Sequence, residues 1–394
     1  MLRVFASDPC QEVFPGQQDR RSDHSAIAAP VAGAVARGRI GTDAGAVLST
    51  QALKAIGRHI KRGDAEVQRL KMMQRTSLML WFGLILSANP VRSHDAGALD
   101  FEGRYALQPL TEHVYVAHGP QAFPNPQTQG FMNNPGFVVT DNGVVVVDPG
   151  SSLQIGRKLL ESIVTVSRKP VIAVFNTHVH GDHWLGNQAI RQAYPEATIY
   201  AHKRMIERVQ AGEGEDWIRL FNELTAGATS GTEVVAPNVG LEGGEVIEIG
   251  GMPFAVHHTG RAHSDTDIMV EVRNDRAIFL GDIVTNRRVQ SARPMDSDIL
   301  GQIRAVEFVL GTDNEWFIPG HGLSGGRELP QAQLDFLRKL HASVKHHYDA
   351  GLADFEMRDR VAQDLAEYRD WYNFDELGRV INSVYLRVEQ ASFE

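Results

Sequence analysis

Residues 176–187 read NTHVHGDHWLGN, and six consecutive positions of that stretch hold three histidines and an aspartate: His178, His180, Asp182 and His183. Imidazole and carboxylate without thiolate suit a zinc ion, and also iron or manganese. His178 and His180 stand two apart at the end of an apolar run, KPVIAVFNTH. Residues so spaced at a strand end point to one side and can grip one ion. Gly181 lets the backbone turn sharply, which aims Asp182 and His183 at a neighbouring place. So tight a loop serves two adjacent ions better than one. Later runs add donors beside Gly or Pro: His263 in GRAHSDTD, Asp282 in FLGDIV and His321 in FIPGHG.

Between two close cations, a water loses its proton readily, because metal binding brings its pKa to about 7. The hydroxide then attacks an electrophilic carbon or phosphorus, and the cations stabilise the oxyanion that forms. Asp182, beside that hydroxide, is expected to steer it or to carry its proton. No Gly-x-Ser-x-Gly nucleophile pattern occurs, and this chemistry needs no side-chain nucleophile.

The elements that must position these residues are legible from periodicity. HVYVAHG and NPGFVVTDNGVVVVDPG read as strands, the second holding a tight Asp-Asn-Gly turn. SLQIGRKLLESIVTVS has helical spacing. KPVIAVFNTH is a buried strand, WLGNQAIRQAY a helix, ATIYAH a strand and HKRMIERVQAG a helix. A glycine-rich bridge, APNVGLEGGEVIEIGG, opens a second run of strands: PFAVHHTG, DIMVEVR, RAIFLGD and EWFIPGHG. From about Glu328 the chain reads helical. Its aromatics Trp371, Tyr372, Phe374 and Tyr385 suit a pocket wall or a dimer contact.

The 394 residues carry a formal charge of -9. Residues 1–98 hold 13 Lys+Arg against 8 Asp+Glu, and the remainder 26 against 40. An acidic body argues against nucleic acid as partner and leaves a small-molecule substrate. Lys203, Arg204, Arg287 and Arg288 are the cations that could meet an anionic group on it. The single cysteine, Cys10, excludes an intrachain disulfide. Residues 71–98 read as a secretory signal: Lys71 and Arg75, an apolar run over 76–88, and Ala96-Gly97-Ala98 as cleavage site. The run is too short for a stable membrane span. The start is then expected at Met72 or Met73, with 1–70 an upstream or disordered extension, and the product periplasmic or secreted.

The metal-seeking residues together resemble the metallo-β-lactamase superfamily. Its His-x-His-x-Asp-His motif is matched at His178, His180, Asp182 and His183, and its later ligands fall on His263, Asp282 and His321. The resemblance spans about residues 105–325. It implies an α/β fold, the αβ/βα four-layer sandwich, over 99–327, followed by a C-terminal helical extension over 328–394. It implies two zinc ions, the first held by His178, His180 and His263, the second by Asp182, His183 and His321, with Asp282 bridging. Asp148, closing GVVVVDPG, matches the family's early aspartate, which supports the site from behind the ligands. Asp267 is expected to orient the His263 loop in the same manner.

In the superfamily's β-lactamases the bridging position is Cys or Ser, whereas in glyoxalase II-like thioesterases it is Asp. Asp282 therefore resembles the glyoxalase II side. The segments NPGFVV, RAHSDTD and NFDELGRVINSVYLRVE are similar to exported SoxH-like zinc metallohydrolases and those of the quinoprotein relay type. The implied reaction is hydrolysis of a small thioester or ester. The alternatives are a β-lactamase-type amide hydrolase and, behind it, a phosphodiesterase.

Overall fold

The computed structural model describes residues 103–290 and 296–393. The leader and signal expectations lie outside the described residues. Among those described, no helix is long and apolar enough to cross a membrane.

One sheet takes its strands in chain order: β1 (Gln108–Pro109), β2 (Val114–Val116), β3 (Gly136–Val139), β4 (Val144–Val147), β5 (Val171–Phe175), β6 (Thr198–His202) and β7 (Val239–Leu241). The second comprises β8 (Val246–Ile249), β9 (Met252–His257), β10 (Met269–Val272), β11 (Ala277–Phe279) and β12 (Trp316–Ile318), ordered β12-β11-β10-β9-β8. The helices are α1 (Leu153–Val166), α2 (Gly181–Trp184), α3 (Asn187–Ala193), α4 (Lys203–Arg208), α5 (Gly214–Leu224), α6 (Ile299–Gly311), α7 (Glu328–Asp349), α8 (Asp354–Asp364) and α9 (Leu377–Ala391).

Strand alternation assigns the layers. All four valines of β4 are buried. Val145 and Val147 enter the core between the sheets with Phe175, Phe254, Val270 and Ile318. Val144 and Val146 take the other face, packed on Leu159 and Ile163 of α1 and Ile190 of α3. Each buried valine contributes roughly 1.5–3 kcal/mol over an exposed one. In the second sheet, Ala277 and Phe279 face inward while Ile278 and Phe317 turn out toward Val306 of α6 and Leu337 of α7. The result is helix, sheet, sheet, helix: the expected four-layer sandwich. The helical extension is not set apart from it. Leu340, Trp371, Leu377 and Ile381 share one core with Ile278 and Val306.

The Asp141–Gly143 turn joins β3 and β4 as expected, closed by Thr140 N donating to Gly143 O at 2.9 Å. α1 starts where Ser152 Oγ accepts from Ile155 N. Elsewhere the chain departs from its local pattern. The helix expected over 184–194 begins earlier, at Gly181, and is broken at Gly186, whose N–H donates to Gly150 O at 2.7 Å. The glycine-rich bridge does not open with a strand of the second sheet. β7 still pairs with β6, and the crossing comes at Gly243-Gly244, where φ reaches 95° and 96°. Two helices, α5 and α6, stand where periodicity suggested none.

His118, after β2, ties this layer to the loop beyond β12. Its Nε2 accepts from Ser324 N at 3.0 Å and lies 2.8 Å from Ser324 Oγ. Burial pulls its imidazolium down from 6.5 to about 4. The folded state therefore binds its proton more weakly than the unfolded chain does. The stability this gives is complete above pH 6.5 and is lost as pH falls through about 4. The His118→Gln variant should show a smaller drop in thermal midpoint between pH 7 and pH 4 than the parent. Equal drops would refute the assignment.

Candidate metal centre

Parallel pairing brings the strand ends together. β4 pairs with β5, so Asp148 and the turn bearing His178 and His180 emerge side by side. β11 pairs with β12, so Asp282 and His321 do the same. The two sheets are stitched at this end by Ile268 N donating to Thr177 O at 2.8 Å and Asn134 N to Gly320 O at 2.9 Å. His263 hangs on the β9–β10 connection, and α2 carries Asp182 and His183.

All seven residues are buried, and their donor atoms converge. Three overlapping groups each have ligand atoms within 4.8 Å of one another: His178, His180 and His263; His178, His183 and Asp282; Asp182, His183 and His321. His183 Nε2 lies 3.3 Å from both Asp182 Oδ2 and Asp282 Oδ1. His321 Nε2 lies 3.2 Å and 3.4 Å from the same oxygens. His263 Nε2 is 2.9 Å from His180 Nδ1 and 3.6 Å from Asp282 Oδ2. The Asp282 carboxylate thus stands between the groups.

Hydrogen bonds behind the cluster decide which nitrogen faces it. Asp148 Oδ2 accepts from Thr177 Oγ1 at 2.6 Å and from His183 Nδ1 at 2.8 Å. Because the Thr177 hydroxyl donates there, it can only accept from His178 Nδ1, 3.1 Å away. His321 Nδ1 donates to Met132 O at 2.7 Å. Each ring is fixed with Nε2 turned inward. His178 Nε2, His183 Nε2 and Asp282 Oδ1 are buried and make no hydrogen bond. Buried polar atoms left so are rare and costly, and an inward Nε2 lone pair is what a metal takes. The donor set fits divalent ions.

Burial and charge oppose each other within the cluster. Burial pulls the His183 imidazolium down, but Asp182, Asp148 and Asp282 outweigh it and hold it well above its ordinary value. His321 is raised on balance as well: burial lowers it, and Asp282 and Asp182 prevail. Burial raises the Asp182 and Asp282 carboxyls, but His183 and His321 hold both well below the carboxylate range. Burial, with His183, His180 and His263 nearby, keeps His178 neutral.

Some roles differ from the sequence reading. Gly181 is not a left-handed turn residue; it opens α2. A Cβ there would lie 2.7 Å from Trp217 Cβ, so the glycine makes room for the tryptophan beside His180, ring centroids 5.2 Å apart. Trp217 was missed; Trp217 and Phe221, spaced i, i+4 in EDWIRLFNEL, were the available signal. Asp296 was missed as well: its Oδ2 is 3.6 Å from His180 Nε2. Asp267 holds the His263 loop, as expected of it, through Ser264, accepting from its N–H at 2.8 Å and its hydroxyl at 2.7 Å. Lys203 pairs with Glu242, Arg204 with Asp265 and Arg287 with Asp370, all partly exposed. Arg288 is buried, over the Tyr372 ring.

Residues 128–321 match the family model for the metallo-beta-lactamase superfamily. This domain belongs to that superfamily. The relatives at hand are named hydrolases, and the domain is of that class. A hydroxyacylglutathione hydrolase of Francisella tularensis is 23% identical over 226 residues, 57% of this chain and 74% of the relative. One from Gloeobacter violaceus is 39% identical over 85 residues, 20% of this chain, which therefore spans only 32% of that relative's length. Among solved structures, the stereoselective inverting sec-alkylsulfatase Pisa1 from Pseudomonas sp. superposes with a TM-score of 0.56 at 18% identity, over 72% of this chain and 50% of that one. That likeness is of fold.

Two outcomes follow. Gly320 precedes His321, and a Cβ on it would collide with Asp282 Oδ1. Gly320→Ala should fold, as judged by circular dichroism, and bind metal about 10–100-fold more weakly; unchanged metal content after dialysis would contradict this. Metal must also displace protons from His183 and His321, whose affinity for them is raised. Metal affinity of the stripped protein should climb with pH through neutrality, with protons released on titration in weak buffer. A pH-independent affinity would show that these rings are not ligands.

Proposed function

We propose that the protein is a dinuclear zinc hydrolase of small thioesters, with His178, His180, Asp182, His183, His263, Asp282 and His321 as ligands and Asp148 and Asp267 bracing them. The observation that carries this is Asp282. One buried carboxylate reaches His183, His263 and His321 within 3.3–3.6 Å, as a bridging ligand must. The resemblance ties an aspartate at this position to the thioesterase branch, and the hydroxyacylglutathione hydrolases among the relatives fit that reading.

When bound, the ions would supply a deprotonated water at neutral pH and charge stabilisation for the acyl oxygen. The protein's own part is placement and proton handling. Asp148 and Met132 O fix the ring tautomers, so the ligand nitrogens are presented without rearrangement. Asp182 is held ionised by His183 and His321 and can take the proton of an attacking water. The hydroxyls nearest the cluster do not compete as nucleophiles. Thr177 Oγ1 donates to Asp148 and Ser264 Oγ to Asp267. Across the reaction the acyl carbon gains the water's oxygen, the C–S bond breaks and the thiol leaves with a proton.

Zinc-loaded protein should hydrolyse S-lactoylglutathione well ahead of nitrocefin or a phosphodiester, lose activity to a chelator and regain it with zinc. Asp182→Asn should lower kcat by about 10²–10⁴-fold at full metal occupancy, the range for a general base. Efficient turnover of nitrocefin would replace this reading with the amide hydrolase.

A further inference from the structure

Four of the five histidines in the cluster have a protein group behind the ring: Asp148 for His183, Thr177 for His178, Met132 O for His321 and, at 3.6 Å, Asp296 for His180. His263 differs. Its Nε2 is turned to His180 and Asp282, and among the described residues no acceptor stands within hydrogen-bond distance of its Nδ1. When Nε2 of a neutral imidazole holds a metal, Nδ1 carries the proton. That N–H normally donates to a carboxylate, a backbone carbonyl or a water. Asp267, on the same loop, does not take this role, because its two oxygens accept from Ser264 N and Ser264 Oγ.

Against His263 lies a small cavity built largely from the helical extension. Gln333 and Leu337 of α7, Ser383 and Val384 of α9, and Ser297 line it together with His263. The space in it for a water's centre is about 30 Å³. One water needs roughly 10–15 Å³ by that measure, so there is room for about two. Apolar cavities of this size stay dry, whereas one that offers a water several polar partners is filled. Gln333 supplies the deciding partner. It is 1% exposed and sits in the buried stripe of α7 that carries Leu329, Leu337 and Leu340. Its Oε1 is buried and makes no hydrogen bond. An amide kept in an apolar stripe without a partner costs stability, and such breaks of the local pattern gather at functional sites. The hydroxyls of Ser297 and Ser383, 3.1 Å apart, add further polar atoms to the wall. A residue with a spare donor and a residue with a spare acceptor thus line the same polar space.

We propose that Gln333 is a positioning residue for His263: water in this cavity accepts from His263 Nδ1 and donates to Gln333 Oε1, which fixes the ring with Nε2 toward the metal. This rests on His263 being a metal ligand and on no particular substrate. Zinc affinity is measured by competition with a chromophoric chelator, and ligand geometry by the visible spectrum of cobalt-loaded protein. Gln333→Leu places an apolar side chain in an apolar stripe, so its metal-free thermal midpoint should be no lower than the native one. Its zinc affinity should nonetheless fall about 10–100-fold, the usual effect of losing a group that orients a ligand, and its cobalt spectrum should change. Gln333→Glu keeps an acceptor oxygen and should recover most of the affinity. Unchanged affinity in Gln333→Leu would overturn the proposal, and so would an equal loss in both variants, which marks a packing role. His263→Ala separates the proposal from the ligand assignment. If it leaves zinc affinity at the native value, His263 is no ligand and both fail. If it weakens zinc binding while Gln333→Leu does not, only the proposal fails. Should Gln333→Leu not fold, a crystal structure of the zinc-loaded native protein decides. Ordered water joining His263 Nδ1 to Gln333 Oε1 by hydrogen bonds sustains the proposal, and a cavity without it sinks the proposal.

Discussion

Asp148 is the residue on which the cluster turns. One buried carboxylate oxygen accepts both the Thr177 hydroxyl and His183 Nδ1, and the other accepts Thr177 N at 2.8 Å. The first contact commits Thr177 as a donor and thereby sets His178 as well. Two of the histidines have their ring protons assigned by one acid that touches no other ligand. The arrangement has a backbone cost. Asp148 sits at φ 52°, in the left-handed region, at the end of a strand of four valines. Such a conformation is sparsely populated and persists where surrounding structure overdetermines it. Here Asn133 Nδ2 donates to Asp148 O at 3.0 Å, and Asp148 N donates to Phe175 O at 2.9 Å.

The remaining constraints are of space. Loops that carry ligands pack so closely that several positions cannot hold a side chain. Gly320 makes room for Asp282, Gly281 for Thr177 and Gly181 for Trp217. Only Gly281, at φ 51°, also needs glycine's conformational freedom. Asn134 closes the arrangement by donating from Nδ2 to Pro319 O at 2.8 Å and Gly322 O at 2.6 Å, a clamp on both sides of His321. A centre built this way is rigid because its loops lean on each other, and the two sheets supply only the line from which they start.

What could be read from the sequence follows from this. The quartet around Gly181, the later His263, Asp282 and His321, and the strands that end at them are local signals: residue type, spacing and alternation. The strands and most of the helices were legible for the same reason, whereas their four-layer arrangement was what the family resemblance implied. What escaped depends on approach across the chain. Trp217 reaches His180 from α5, whose own pattern is interrupted upstream by the irregular turn at Val209–Glu213. Asp296 nears His180 across more than a hundred residues. Gly181 was read for conformational freedom, and its actual role is set by a neighbour that no local window contains.

The buried acids follow the same logic. Around the cluster Asp148, Asp182, Asp267, Asp282 and Asp296 are buried, and divalent ions are the natural counter-charge to such a set. The buried Arg288 guanidinium lies over Tyr372 of the helical extension and donates to Gln121 of the loop after β2. The extension therefore does more than cover the outer face of the second sheet. By bridging its backbone to residues 287–289, it also holds the segment that follows Asp282.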